Sequence, residues 1–250
     1  MNINKKMRIN SISIIFPFYN EENRLNQCFK DINAFNKNNK KKDKEYIFVD
    51  DGSNDNSLKL VKHFINKQNN KKVKYKLISI KKNTGKGFAL KKGILAAKKK
   101  WILTLDTDIS VSLSQINIWI KKNYINNKKK EIYFGSRNVI GSIVNYKFYR
   151  KIFGSIFIFL IKNFLKIKML DTQCGYKLYP NLLAKKIFFN LNEKGFIHDL
   201  ELVVLCNNQK ITIKELPIKW THIPNGKLNL FKDSIKMFIG IFRLKIKFKI

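Results

Sequence analysis

Acids are scarce in this chain: 17 Asp+Glu face 51 Lys+Arg, for a formal charge of 51 − 17 = +34 over 250 residues. So large an excess rules out an acidic solvating role and points to an anionic partner, whether nucleic acid, an anionic membrane surface or phosphorylated substrates. Stretches such as "NKNNKKKDK" read as solvated loops, so charge alone does not choose among them. Cysteine is equally sparse. Cys28, Cys174 and Cys206 are odd in number, widely spaced and without a C-x-x-C pair, which excludes a disulfide framework and a zinc site and suits a reducing compartment. Long apolar runs are missing too. The longest, "IFGSIFIFLI" (Ile152 to Ile161), is cut off by Lys151 and Lys162, well short of the ~20 residues of a membrane span. The apolar run near the N-terminus ends in Pro17-Phe18-Tyr19, too short for a signal peptide core, and reads as a first strand.

What is present alternates. "SISIIFPF" and "EYIFVDD" read as strands, "VKYKLISI" as a third and "KWILTLDTD" as a fourth. Between them lie helical patterns: Leu25, Cys28, Phe29 and Ile32; then Leu58, Val61 and Ile65 within 55–68; then Phe88, Ala89, Ile94 and Ala97 after a Gly-rich turn. Strands alternating with helices of this length predict βαβ units and a parallel sheet. At 250 residues the expectation is one domain. Further on, helices are expected at 112–122, in the apolar stretch "NYKFYRKIFGSIFIFLIKNFLKIKML", at 182–189 and in "HDLELVVLC", with strands at "EIYFGSR" and "KITIKELPI". The tail begins like a helix, but "RLKIKFKI" alternates with period two, and its conformation stays open.

In parallel sheets, ligands bind at the carboxyl ends of the strands. Three of the first four strand ends carry polar chemistry: Asn20-Glu21, Asp50-Asp51 and Asp106/Asp108. Asp106 and Asp108, one residue apart in "LTLDTDIS", suit a hard divalent cation, which carboxylates and substrate phosphates commonly hold together. The plain alternative is an Asp-rich turn. A general acid and base pair is a third reading, but this spacing gives no opposed geometry about a bond. In "FVDDGSNDNS", Asp50 or Asp51 can accept from a uracil imide or a ribose hydroxyl, while Ser53 or Asp55 suits a helix N-cap. "NTGKGFA" lacks the Walker pattern, yet its glycines allow close backbone approach and Lys86 can meet a phosphate; otherwise Lys86 is one more surface lysine.

"FPFYNEE", "FVDDGSNDNS", "NTGKGFALKKG", "LDTD", "GSR" and "DTQCGYKLY", in this order, closely resemble the inverting GT-A glycosyltransferases of family 2 that load a polyprenyl phosphate with a sugar. The dolichyl-phosphate β-glucosyltransferase group is nearest, and the dolichyl-phosphate mannose synthases come next. The resemblance covers roughly residues 11 to 230, and "DTQCGYK" is its most specific part. It implies a GT-A (Rossmann-like) α/β fold with a mostly parallel sheet flanked by helices, a nucleotide-binding half at about 10–110 and an acceptor and membrane-facing half at about 111–250. By position it implies that Pro17, Tyr19, Glu21, Asp51 and, in support, Asp50 contact the nucleoside. It likewise places Asp106 and Asp108 on Mg²⁺ or Mn²⁺ and the sugar diphosphate. Lys86 joins the donor site, Arg137, Arg150 and Lys227 meet donor and acceptor phosphates, and Asp171 and Gln173 line the sugar and acceptor pocket. An acceptor phosphate is ionised near neutral pH and needs no strong base, which leaves orientation and electrostatics as the catalytic contributions. The implied donor is UDP-glucose, with glycan hydroxyls as the rival acceptor class and nucleic-acid binding supported only by charge.

The sequence departs from its relatives at Thr107 and Ile109, where Ala and a small or polar residue are usual, and at Gly226, where Ser is common. No terminal membrane anchor of the kind many relatives carry is expected from its apolar runs. The expectation is therefore a peripheral protein on the cytoplasmic face of a membrane, held by amphipathic helices with flanking cations. Cys174 is expected to be a packed small residue, since no nearby His would activate it. His198 is read as acceptor-side support or as a helix-start residue, and His222 and Trp220, after the "ELPIKW" strand, as structural.

Overall fold

The computed structural model describes residues 9–68, 72–126, 130–145, 148–223 and 230–250; for 148–156 and 230–236 it describes the helical backbone only. The elements run β1 (Ser11–Phe18), α1 (Glu22–Asn38), β2 (Asp43–Asp50), α2 (Ser57–Asn66), β3 (Val73–Ser79), α3 (Lys86–Ala96), β4 (Trp101–Thr104), α4 (Gln115–Lys121) and β5 (Glu131–Ser136). They continue with β6 (Ile143–Asn145), α5 (Phe148–Leu165), β7 (Lys177–Pro180), α6 (Asn181–Phe189), α7 (His198–Asn208), β8 (Thr212–Pro217), β9 (Lys219–Thr221) and α8 (Leu230–Phe248). Seven strands form one sheet in the order β3-β2-β1-β4-β7-β5-β8.

Side chains alternate across each strand, and both faces of this sheet are covered. Ile12, Ile14, Phe16 and Phe18 of β1 face one core with Phe29 of α1, Val61 and Phe64 of α2 and Trp119 of α4. Ile15 of β1 and Val49 of β2 face the other core with Ile94 of α3, Ile187 of α6 and Leu200 of α7. Phe29 and Phe64 stack at 4.1 Å between ring centroids, joining α1 to α2. Trp119 is fully buried, and its indole N–H donates to the Pro217 carbonyl at 2.8 Å, as a buried Trp requires.

The order β3-β2-β1-β4 reverses direction between β1 and β4, which marks a topological switch point. Every neighbour pair in the sheet is parallel except those of β7, which runs against both β4 and β5. That reversal matters for function. Lys177, the first residue of β7, lies opposite Thr104, the last of β4, so "DTQCGY" arrives at the edge where β1, β2, β4 and β5 end.

The parallel alternation read from the sequence is present, and the antiparallel β7 and the short β6–β9 pair add to it. The tail left open is helical: Ile241 and Leu244 of α8 are buried, while Ile246 is exposed. An exposed Ile between lysines creates the period-two pattern in "RLKIKFKI". Arg243 and Lys247 of α8 meet Glu193 and Glu201 at 2.5 Å each, fixing the helix to the body of the protein.

Candidate active site

The turn after β4 carries both carboxylates of "LDTD". The Ile109 amide donates to the Asp106 carbonyl at 3.2 Å, and the Ser110 amide donates to Asp108 Oδ1 at 2.9 Å. Ile109 sits at φ 56°, a left-handed conformation costly for a β-branched residue. The stretch is thus a turn and a carboxylate pair together.

Each carboxylate faces a cation. Lys86 Nζ lies 2.6 Å from Asp106 Oδ1. Burial acts to lower the pKa of the Lys86 ammonium, but Asp106 and Asp199 outweigh it and hold the group above its ordinary value. Lys86 is therefore not one more surface lysine. Arg24 of α1, which sequence reasoning missed, lies 3.8 Å from Asp108 Oδ2. Its guanidinium is clamped by Glu21, with Nη2 donating to Oε1 at 2.6 Å and Nε 2.5 Å from Oε2. The available signal was the three-residue spacing of Glu21 and Arg24 at a helix start in an acid-poor chain. Burial and the Asp106 charge raise the pKa of Asp108.

Asp106 is also fixed from behind. A Cβ on Gly175 would lie 2.5 Å from Asp106 Oδ2 and 2.8 Å from Oδ1, so the carboxylate rests on a glycine backbone. The "CGY" of one motif is the floor under the first Asp of another, and Thr104 Oγ1 ties the two by donating to the Gly175 carbonyl at 3.0 Å.

The other end of that segment is held by Arg137, at the end of β5. Its Nε and Nη2 donate to Asp171 Oδ2 and Oδ1 at 2.7 and 2.8 Å, and its backbone N–H donates to Oδ2 at 3.0 Å. Asp171 Oδ1 also accepts from the Gln173 amide at 3.1 Å. Asp171 is buried, which acts to raise its pKa, but Arg137 and these hydrogen bonds prevail and hold the carboxyl below the ordinary range. Glu215 of β8 anchors the same segment, accepting from the Leu170 and Asp171 amides at 2.9 Å each. The Trp220 ring lies 5.8 Å from the Arg137 guanidinium carbon, which places "ELPIKW" beside this clamp.

At the ends of β1 and β2, Phe18 lies opposite Asp50, which sets Tyr19 beside Asp51. Pro17 is buried within β1. Asp50 accepts from the Ser53 amide at 2.9 Å and the Ser79 hydroxyl at 3.2 Å. Asp51 accepts the Thr84 amide at 2.9 Å and the Gly85 amide at 2.7 Å, one on each oxygen. Burial raises its pKa against these two bonds. Asp51 thus fastens the Gly-rich loop that carries Lys86. Gly85 has φ 117°, and a Cβ there would strike the Lys194 carbonyl at 2.4 Å.

Of the residues singled out in the sequence, Glu21, Lys86, Asp106 and Asp108 share one ionic cluster with Arg24, and Asp171, Gln173 and Arg137 form the clamp next to it. The Arg150 side chain and all of Lys227 lie outside the described residues. Cys174 is buried, and burial pushes its thiol up to about 12, which suits packing rather than nucleophilic chemistry. His198 begins α7 with Nδ1 2.8 Å from the Gly195 carbonyl and Nε2 3.2 Å from Asp199 Oδ1, a structural placement. Asp199 pairs with buried Lys177, another contact that the sequence did not disclose.

Residues 13–188, more than half of the chain, match the model of the family described as Glycosyl transferase family 2. The chain is 32% identical to the dolichyl-phosphate beta-glucosyltransferase of Dictyostelium discoideum, over 95% of this chain and 74% of that protein. It is 30% identical to the human protein of the same name, over 95% of this chain and 75% of that one. Among solved structures, glucosyl-3-phosphoglycerate synthase from Mycobacterium tuberculosis, in complex with UDP, superposes with a TM-score of 0.65 at 13% identity, covering 94% of this chain and 79% of that one. That likeness confirms the mostly parallel α/β fold. With the strand-end carboxylates at the switch point and the family match running through them, the chain belongs to glycosyl transferase family 2.

Proposed function

We propose that this protein transfers glucose from UDP-glucose to a polyprenyl phosphate such as dolichyl phosphate, with inversion at the anomeric carbon. The observation that carries the reading is the segment Asp171–Gly175, clamped at one end by Arg137 and supporting Asp106 at the other. It joins an acceptor-side motif to the donor-side carboxylates at one sheet edge. The names of the relatives point to the same donor sugar and acceptor.

The chemistry of Asp171 supports a phosphate acceptor. A hydroxyl acceptor calls for a general base with a pKa near the operating pH. Asp171, held below the ordinary carboxylate range by Arg137, is a poor base. A phosphate acceptor is already ionised and needs only to be oriented, which leaves Arg137 and Lys227 to meet phosphate charge.

The residues fit a divalent metal. Asp106 and Asp108 offer hard oxygen ligands in a fixed turn, and among the described residues no cluster of three or more His, Cys, Asp or Glu stands ready to enclose an ion. Mg²⁺ or Mn²⁺ held by two carboxylates takes its other ligands from diphosphate and water. The M. tuberculosis synthase was crystallised with Mn²⁺ and UDP. Bound here, the cation would neutralise charge on the UDP leaving group. Pro17, Tyr19, Glu21, Asp50 and Asp51 form the nucleoside edge in this reading, and Gln173 faces sugar and acceptor.

No described helix is long and apolar enough to cross a membrane. We assign membrane contact to α5 and α8, whose exposed Phe159, Phe238, Ile239 and Ile246 stand among Lys162, Lys166, Lys245 and Lys249. Phe164 and Phe242 join the two helices at 5.0 Å. Apolar side chains among cations suit a cytoplasmic leaflet.

The test is a donor and acceptor screen of purified protein with UDP-glucose, UDP-N-acetylglucosamine and GDP-mannose against short polyprenyl phosphates. Asp108→Asn, run alongside, should keep the fold and lose most of the activity, because an amide lacks the charge to hold a cation. Normal turnover by that variant would return "LDTD" to a plain turn.

A further inference from the structure

The two cations beside Asp106 and Asp108 differ in how they are held. Arg24 is clamped by Glu21 and stands 3.8 Å from Asp108. Among the described residues Lys86 makes its only ion pair with Asp106, at 2.6 Å, through a flexible four-carbon stem. The root of that stem is fixed, since Asp51 accepts the Thr84 and Gly85 amides just before it and Gly85 is pressed against the Lys194 carbonyl. Asp106 has the Gly175 backbone close behind it, which limits the room its carboxylate has to turn away from Lys86. A movable ammonium therefore covers a carboxylate that is backed by the Gly175 backbone.

We propose that Lys86 is a placeholder for the divalent cation: it occupies Asp106 in the nucleotide-free enzyme, gives that oxygen up when the metal enters, and moves onto the donor diphosphate. This rests on the reading of Asp106 and Asp108 as the metal carboxylates. An ammonium and a divalent cation compete for the same lone pairs and repel each other at contact distance. Metal alone must displace Lys86 without offering it a new anion, and the nearby Asp199 is already paired with Lys177 and His198. UDP supplies phosphate oxygens that can receive both cations, so each ligand strengthens the binding of the other by the same factor. Lys86 thereby makes metal binding depend on nucleotide and keeps the empty site from holding metal tightly.

The experiment measures Mn²⁺ affinity, from the electron paramagnetic resonance of free Mn²⁺, with and without saturating UDP. Wild type, Lys86→Met, Lys86→Arg and Asp108→Asn are compared, each with its thermal unfolding recorded to confirm the fold. Lys86→Met should bind Mn²⁺ without UDP about tenfold tighter than wild type, ~1.4 kcal/mol. The factor by which UDP improves Mn²⁺ binding should shrink about tenfold in that variant. Lys86→Arg, which keeps a cation in place, should stay near wild type. Unchanged Mn²⁺ affinity in Lys86→Met, or Lys86→Arg binding as tightly as Lys86→Met, overturns the placeholder role. If Asp108→Asn leaves Mn²⁺ binding intact, the metal reading itself fails, a result distinct from the first because it does not involve Lys86.

Discussion

Gly175→Ala is a small change with a large expected consequence. The new Cβ would stand 2.5 Å from Asp106 Oδ2 and 2.8 Å from its other carboxylate oxygen. Ordinary contact lies near 3.4 Å, so relief requires a shift of 3.4 − 2.5 = 0.9 Å. The colliding atoms are the end of a side chain that is 41% exposed, so the carboxylate gives way before the sheet does. The stability cost should stay at about 1 kcal/mol, at the low end for overpacking. A misplacement of about 1 Å at a catalytic group can cost about 10²-fold in rate, and kcat should fall by that order. Gly195→Ala is the matched control, since a Cβ there meets nothing within 4 Å and should leave both quantities unchanged. Glucosyl transfer from UDP-glucose gives kcat, and differential scanning calorimetry gives the stability. Wild-type kcat in Gly175→Ala would refute the contact between the two motifs, and unfolding of the variant would show that Asp106 is not the part that yields.

Asp51→Ala strips both acceptors from the Thr84 and Gly85 amides and should cost about 1–3 kcal/mol of stability. It should also weaken UDP binding by calorimetry, whereas a variant with unchanged UDP affinity would confine Asp51 to loop support. Asp171→Asn leaves the 29% exposed Arg137 without its carboxylate partner and should cost about 2 kcal/mol at pH 7, below the figure for fully buried pairs. Because Asp171 has a depressed folded pKa, this contribution is complete above the unfolded value of ~3.9 and fades as pH falls through the lower folded value. Urea unfolding of both forms should therefore show a constant gap above about pH 5 that closes only in stronger acid. On the membrane side, Phe159, Ile239 and Ile246 together changed to Ser should abolish sedimentation with anionic liposomes and spare UDP binding. Sedimentation equal to wild type would remove α5 and α8 from the interface. Phe157 and Leu160 are unsuitable for that test, because both pack partly into the core.

The sequence disclosed most where physics is local. β1 to β4 were legible because their apolar runs stop at polar turn residues, Asn20 after β1, Asp50 and Asp51 at the end of β2, Asn83 and Gly85 after β3 and Asp106 after β4, and the strand-end carboxylates stood out against a background of lysine. β7 was not legible as an antiparallel strand: "KLYP" carries no mark of direction, and only its pairing with β4 and β5 sets it. β6 and β9 have three residues each, too few for a period to show. In the site, Lys86 and Asp106 are 20 positions apart and Gly175 a further 69, so their contacts depend on the sheet order. Asp51 showed the limit in another way. Its position at a strand end suggested a nucleoside ligand, and what the structure shows is Asp51 holding the loop that carries Lys86.

The measurement that bears most directly on the central claim is the product itself. Purified protein is incubated with UDP-glucose, dolichyl phosphate and Mn²⁺ or Mg²⁺, and the lipid fraction is analysed by mass spectrometry and by proton NMR of the anomeric signal. The expected product is a β-linked dolichyl phosphate glucose that forms with divalent cation and disappears with EDTA. An α-linked product, transfer only to glycan hydroxyls, or equal yield in EDTA would contradict the account.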